Sequence, residues 1–246
     1  MSALLQTQNL TLAFGGLVVA NGIDFSLAEG ERLAVIGQNG AGKTTFINIC
    51  TGLLKPSEGS VHFAGDNITG HSPRSIVRRG MARSFQLPQL FLDHSVRECL
   101  QLAAVARQGN LSLWQRLASA SSSQEIDRML DLISLRDRQH ELCINLPEGQ
   151  RKLLDVGMSL MLNPRLLILD EPTSGVSTQE KHGVMEILMR ALDEQRVTAI
   201  FVEHDVDIVK RYATRVAAWI NGAIAADGSP AEVLADPTVK REVLGI

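Results

Sequence analysis

The chain has 246 residues, 45% of them hydrophobic and 21% charged, an ordinary globular composition that fits one large domain or a domain with a subdomain. A formal net charge of −3 gives no support for a nucleic-acid binder. The most apolar runs, "LLIL" and "GMSLML", fall far short of the roughly 20 residues that span a bilayer, and "MSALLQTQNL" lacks the basic and apolar regions of a signal peptide, so none is expected.

In chain order, "QNLTLAF", "GIDFSLAEGE" and "GSVHFAG" alternate polar and apolar residues between turn glycines, as antiparallel strands do. "RLAVIG" (Arg32–Gly37) is a buried strand ending in a glycine-rich turn, and a helix is predicted from 43 to about 51. From 95 to 157 the pattern predicts helix throughout, with a polar break at "SASSSQE". Further strands are predicted at 165–170, 197–203 and 215–222, with helices at 178–194 and about 205–212 between them. Strands alternating with helices give an α/β class. We expect one domain over residues 1–246: a mixed α/β core, an antiparallel β subdomain, and an inserted helical subdomain at about 87–161. Cys50, Cys99 and Cys143 form no CxxC and no metal spacing, so they read as thiols of a reducing compartment.

"GQNGAGKTT" fits G-x-x-x-x-G-K-[ST] between a strand and a helix, the context that gives the motif meaning. Glycines let backbone N–H groups close around phosphate oxygens where side chains would clash, and the helix N-terminus adds partial positive charge. Gly37, Asn39, Gly40, Ala41, Gly42, Lys43, Thr44 and Thr45 are therefore candidate triphosphate contacts. Lys43 reaches the β- and γ-phosphates and the Thr44 hydroxyl ligates Mg²⁺. "LLILDEP" places Asp170 at a strand end, where it can hold hydrated Mg²⁺, and then Glu171, which can orient or deprotonate an attacking water. "FVEHD" puts His204 just past the next strand, within reach of a γ-phosphate, because ligands of such sheets collect at strand C-termini. Gln86 in "RSFQLPQLF" reads either as a buried turn amide or as a Mg²⁺ or water ligand.

The ordered set of phosphate loop, "SFQ", "GQ" turn on a helix, "LLILDEP" and "EHD" resembles the ATP-binding subunit of an ATP-binding-cassette (ABC) transporter over essentially the whole chain. The resemblance implies a P-loop NTPase fold and an ATPase using ATP and Mg²⁺. It matches residues 37–45 to Walker A, Gln86 to the Q-loop, residues 146–150 with Gly149 and Gln150 to the signature, Asp170 and Glu171 to Walker B and the catalytic glutamate, and His204 to the switch histidine. Phe14 falls where the family stacks an aromatic on adenine; the alternative is a packing residue. "GMARSFQLPQLF", "EPTSGVS", "FVEHDVDIV" and "DGSPAEVLADPTVKREVLG" are similar to the importer branch for branched-chain amino acids, or urea and amides. That branch implies membrane permease subunits, a second ATPase subunit, a periplasmic solute-binding protein acting indirectly, no nucleic acid, and a cytoplasmic position on the inner face of the membrane. Rival readings are an exporter ATPase and a slow nucleotide-dependent regulatory switch. "LSLWQRL" reads as a contact to a membrane subunit or as a solvent-facing amphipathic turn.

The signature departs from the family at "LPEGQ". Pro147 replaces a hydroxyl and lacks an N–H, and Glu148 is expected to face outward, away from phosphate. Gly149 keeps the close backbone approach and the helix dipole remains. A second departure, "SGVST", lacks the aspartate many cassettes carry after the acids.

Overall fold

The computed structural model describes residues 3–108 and 122–246. Its strands are β1 (Ala3–Phe14), β2 (Leu17–Ala28), β3 (Arg32–Gly37), β4 (Glu58–Phe63), β5 (Asp66–Asn67), β6 (Met81–Ser84), β7 (Leu166–Asp170), β8 (Thr198–Val202), β9 (Arg215–Ile220) and β10 (Ala223–Gly228). Its helices of six or more residues are α1 (Lys43–Cys50), α2 (Pro73–Arg78), α3 (Val96–Gln108), α4 (Ser123–Leu132), α5 (Glu148–Leu160), α6 (Thr178–Gln195), α7 (Val206–Tyr212) and α8 (Pro230–Ala235). The chain divides into two compact units, Met1–Met81 with Thr198–Ile246, and Ala82–Val197.

The first unit holds an antiparallel sheet in the order β2-β1-β4-β5. In β1 Leu5 and Thr7 are buried between exposed Gln6 and Gln8, and the alternation resumes with buried Leu10 and Leu12 after a register shift at Asn9. The same unit carries the strand run β10-β9-β3-β8, in which β3 is parallel to both β8 and β9. All of β8, and all of β3 after Arg32, is buried, which is why these strands read as continuous apolar runs. The Phe46 ring of α1 packs edge-on to Phe25 at 5.3 Å and against Trp219 at 5.1 Å. That aromatic core braces the start of α1.

In the second unit β6 and β7 are neighbours, and every residue of β7 is buried. Leu100 and Ala104 of α3, Ile126 and Leu130 of α4, Leu154 of α5 and Leu188 of α6 form its apolar interior. A Cβ added at Gly157 of α5 would lie 2.8 Å from Ile133, so glycine is what lets the chain past α4 pack this close. The expectation of helix throughout 95–157 is corrected here. Between Leu132 and Glu148 the chain makes only two short 3₁₀ turns, Arg136–Arg138 and Cys143–Asn145. Ser134 takes a left-handed conformation (φ 58°) that terminates α4, and Pro147 has no N–H to continue a helix from before it. Of the polar break, Ser122 caps α4 and Ser123 to Glu125 are helical; "LSLWQRL" lies outside the described residues.

The strand predicted at 215–222 is a hairpin, with β10 antiparallel to β9. Asn221 and Gly222 both have positive φ (50° and 80°), the pattern of a two-residue Asn-Gly hairpin turn. Cys99 and Cys143, 44 positions apart, bring their Sγ atoms to 3.4 Å. Burial pushes the Cys99 thiol up to about 12 and raises Cys143 and Cys50 as well, so these thiols are poor nucleophiles. Among the described residues no helix is long and apolar enough to cross a membrane.

Candidate functional site

The phosphate loop belongs to the first unit and joins β3 to α1. Gly42 is the N-cap of α1, with φ 100°, and a Cβ there would lie 2.6 Å from the carbonyl oxygen of Val19. A Cβ at Gly37 would meet the carbonyl oxygen of Trp219, also at 2.6 Å. The sequence therefore needs glycine at both places, because neighbouring backbone fills the room a side chain requires. The amide of Gly222 donates to the carbonyl of Ala41 at 2.9 Å and ties the loop to the β9–β10 turn. Lys43 is 6% exposed, and its Nζ donates to the carbonyls of Gly37 at 2.6 Å and Gln38 at 2.9 Å. Its ammonium is thus held at the mouth of the loop, while Gln38, Asn39, Gly40 and Thr44 are exposed there. Replacing Gly42 with alanine adds the clash to a left-handed conformation costing about 1–2 kcal/mol. The melting temperature is expected to fall by about 4 °C or more, and ATP affinity by about tenfold. Thermal denaturation and nucleotide titration check this; unchanged values would contradict the packing described.

His204 follows β8 and is exposed, while its neighbour Glu203 is 4% exposed. Because β3 and β8 run parallel in register, from Arg32 opposite Ala199 to Val35 opposite Val202, His204 emerges on the same sheet edge as the phosphate loop. The amide of Glu203 donates to Val35 at 3.3 Å, and Glu203 Oε2 accepts from the His204 amide at 3.2 Å. A cavity of about 30 Å³ lies among Ile36, Gly37, Glu203, His204 and Leu244. Phe14, at the end of β1, is 54% exposed beside the β1–β2 turn, free for stacking and not packed in a core.

The acids belong to the second unit. Asp170 ends β7, and its Oδ2 accepts from Arg83 Nη2 at 2.6 Å in a nearly buried ion pair. Glu171 takes φ 50°, a strained conformation for a non-glycine residue. Its Oε2 accepts from Gln86 Nε2 at 2.7 Å. Gln86 itself is exposed. Beneath them Ser84 Oγ donates to Asp155 Oδ2 at 2.5 Å, and burial pushes the Asp155 carboxyl above the usual range. The described residues hold no cluster of three or more His, Cys, Asp or Glu suited to a metal. Within this unit Asp170 and Gln86 offer one carboxylate and one amide oxygen, donor types that suit Mg²⁺, which keeps waters and takes phosphate oxygens.

The signature turn opens α5 with Pro147 as its N-cap (φ −57°, ψ 155°), so no side chain bonds the first amides of the helix. Those amides point their partial positive charge outward. Gly149 packs against Val184 and Val176; a Cβ there would lie 3.3 Å from Val184. Glu148 is half-buried beside Gly175 and not fully turned to solvent as expected. An apolar groove of about 420 Å³ runs past Phe85, Phe91, Leu102, Ala106 and Met158.

The structure thus brings Gly37, Gly42, Lys43 and His204 to one edge in the first unit, and joins Gln86 to Glu171 in the second. The sequence reading passed over Arg83, Asp155 and Lys152. In the structure Lys152, Asp155 and Ser159 are all buried polar residues of α5.

The ABC transporter family profile matches residues 20–174. A probable branched-chain amino acid transport ATP-binding protein, LivG, of Archaeoglobus fulgidus is 35% identical, covering 98% of this chain and 95% of its own. The high-affinity branched-chain amino acid transport ATP-binding protein BraF of Pseudomonas aeruginosa is 30% identical, covering 98% of each. Among solved structures, an ATP-binding cassette of an ABC transporter in its ADP conformation is similar with a TM-score of 0.84, at 28% identity over 100% of both chains. CbiO1 from Clostridium perfringens, part of the ABC transporter complex cbiONQ, has a TM-score of 0.83 and 29% identity, covering 98% of this chain and 94% of its own.

Proposed function

Since this chain belongs to the ABC transporter family and is one of its ATP-binding ATPase subunits, we propose that it powers uptake of branched-chain amino acids through separate membrane permease subunits. The observation that carries the substrate class is its 30–35% identity, over 98% of its length, to LivG and BraF. The subunit works at the cytoplasmic face, held there by the permease, and a periplasmic solute-binding protein delivers the amino acid from the other side. The apolar groove beside Phe85 and Phe91 receives the permease.

In the proposed cycle, Lys43 exchanges its carbonyl partners for phosphate oxygens of ATP, and loop amides from Gly40 to Thr45 close around the chain of phosphates. Phe14 stacks on the adenine. Thr44, Asp170 and Gln86 would hold Mg²⁺, which would neutralise phosphate charge. Glu171, oriented by Gln86, takes the proton of an attacking water. His204 bonds the γ-phosphate, and the Glu203 carboxylate fixes its backbone. Gly149, Gln150 and the amides at the head of α5 read the γ-phosphate held by a second ATPase subunit. Pro147 forgoes the hydrogen bond a serine would give there, worth roughly 1.5–3 kcal/mol, which weakens that contact without removing it.

Reconstitution of the subunit with its permease and binding protein in proteoliposomes tests the substrate class. ATP-dependent accumulation of leucine, isoleucine and valine is expected, competed by one another and not by urea or amides. Accumulation of urea or an amide in preference to leucine would reject it.

A further inference from the structure

Lys152 lies in the second turn of α5 and is 4% exposed. Its ammonium donates to the carbonyl of Gln86 at 3.1 Å, the carbonyl of Glu171 at 2.8 Å and Ser174 Oγ at 3.2 Å. An ammonium has three N–H donors and is costly to bury unless they are matched. Here they meet oxygens from three separate segments: the loop after β6, the first residue past β7, and the turn that leads into α6. Two of those residues are also joined by their side chains, through Gln86 Nε2 and Glu171 Oε2 at 2.7 Å. The strained backbone of Glu171 persists only where its surroundings hold it, and the bond from Lys152 is on its own carbonyl.

We propose that Lys152 is a positioning residue for hydrolysis, locking Gln86 and Glu171 to each other and to the helix that the signature turn opens. A shift of α5 when its head engages phosphate is then carried by one side chain to the pair that orients water. Through Ser174 the same shift reaches the "SGVST" turn, where the aspartate of many cassettes is absent. This inference rests on the reading that Gln86 and Glu171 serve hydrolysis.

Single-turnover hydrolysis of radiolabelled ATP on the full chain tests it, using wild type, Lys152→Met, Glu171→Gln and the double variant. Methionine keeps the stem and removes charge and donors. Lys152→Met is expected to slow hydrolysis at least about tenfold, with ATP affinity kept within about threefold, a loss in the chemical step and not in binding. In the Glu171→Gln background it should cost less than about twofold more, because a residue acting through Glu171 has nothing further to lose. A rate equal to wild type, or a loss that repeats in full on Glu171→Gln, overturns the proposal. If Glu171→Gln itself hydrolyses at the wild-type rate, the hydrolysis reading fails instead. Should circular dichroism show Lys152→Met unfolded, Lys152→Gln, whose amide is too short for all three acceptors, takes its place. There a loss of about threefold or more, absent from the Glu171→Gln background, is expected, and an unchanged rate overturns the proposal.

Discussion

Replacing Lys43 with alanine is expected to remove measurable ATP turnover and weaken ATP binding by about 100-fold or more, the equivalent of two charge-assisted hydrogen bonds at roughly 1.5–3 kcal/mol each. The geometry explains the size of the effect. The side chain is buried to 6% exposure with its ammonium held by the carbonyls of Gly37 and Gln38. The cation is thus already in place at the loop, and binding ATP exchanges one set of oxygens for a more strongly charged set. Alanine leaves the backbone of the loop, its glycines and the tie to Gly222 intact, so circular dichroism should show a folded protein. Isothermal titration calorimetry with ATP and a phosphate-release assay check the result. Wild-type affinity in a folded Lys43→Ala protein would take Lys43 out of the phosphate site.

The second large effect separates binding from chemistry. Glu171→Gln keeps the shape of the side chain and a hydrogen bond to Gln86 but loses the basic carboxylate. Proton transfer by a positioned group contributes about 10²–10⁴-fold, so phosphate release is expected to slow by about 100-fold or more. ATP affinity should stay within about threefold, since Glu171 is not among the loop residues that hold phosphate. The Gln86 contact at 2.7 Å and the strained backbone at φ 50° both serve to hold this carboxylate in one place. Steady-state phosphate release and nucleotide titration on the same preparation measure the two quantities. A turnover rate within twofold of wild type would remove Glu171 from its assigned role.

Much of the fold was legible because its strands either alternate over short stretches or are continuously apolar. β1 shows its buried and exposed faces on either side of Asn9, and β3, β7 and β8 announce themselves as short apolar runs with a turn behind each. The candidate site residues could be proposed for a related reason: phosphate binding and carboxylate chemistry demand particular residue types at strand ends. What was not legible depends on backbone conformation at single residues. The helical reading from 95 to 157 failed at Ser134, whose left-handed backbone ends α4 without a glycine to mark it. The β9–β10 hairpin was missed although Asn221 and Gly222 carry the standard turn pair. Cys99 and Cys143 meet only because the 3₁₀ turn at Cys143–Asn145 folds back on α3, which spacing along the chain does not reveal. Arg83 and Lys152 look in the sequence like surface charges. Their roles come from acceptors far along the chain, Asp170 for one and Gln86, Glu171 and Ser174 for the other.

The central claim is that the turn of Pro147, Glu148, Gly149 and Gln150 still reads a γ-phosphate across a pair of subunits. Light scattering on purified Glu171→Gln protein, with and without Mg²⁺ and ATP, tests it most directly. We predict a mass that doubles when ATP is present and returns to the monomer value when it is removed. A monomer mass in the presence of ATP, with bound nucleotide demonstrated in the same sample, would contradict closure of this turn on a second copy of the chain.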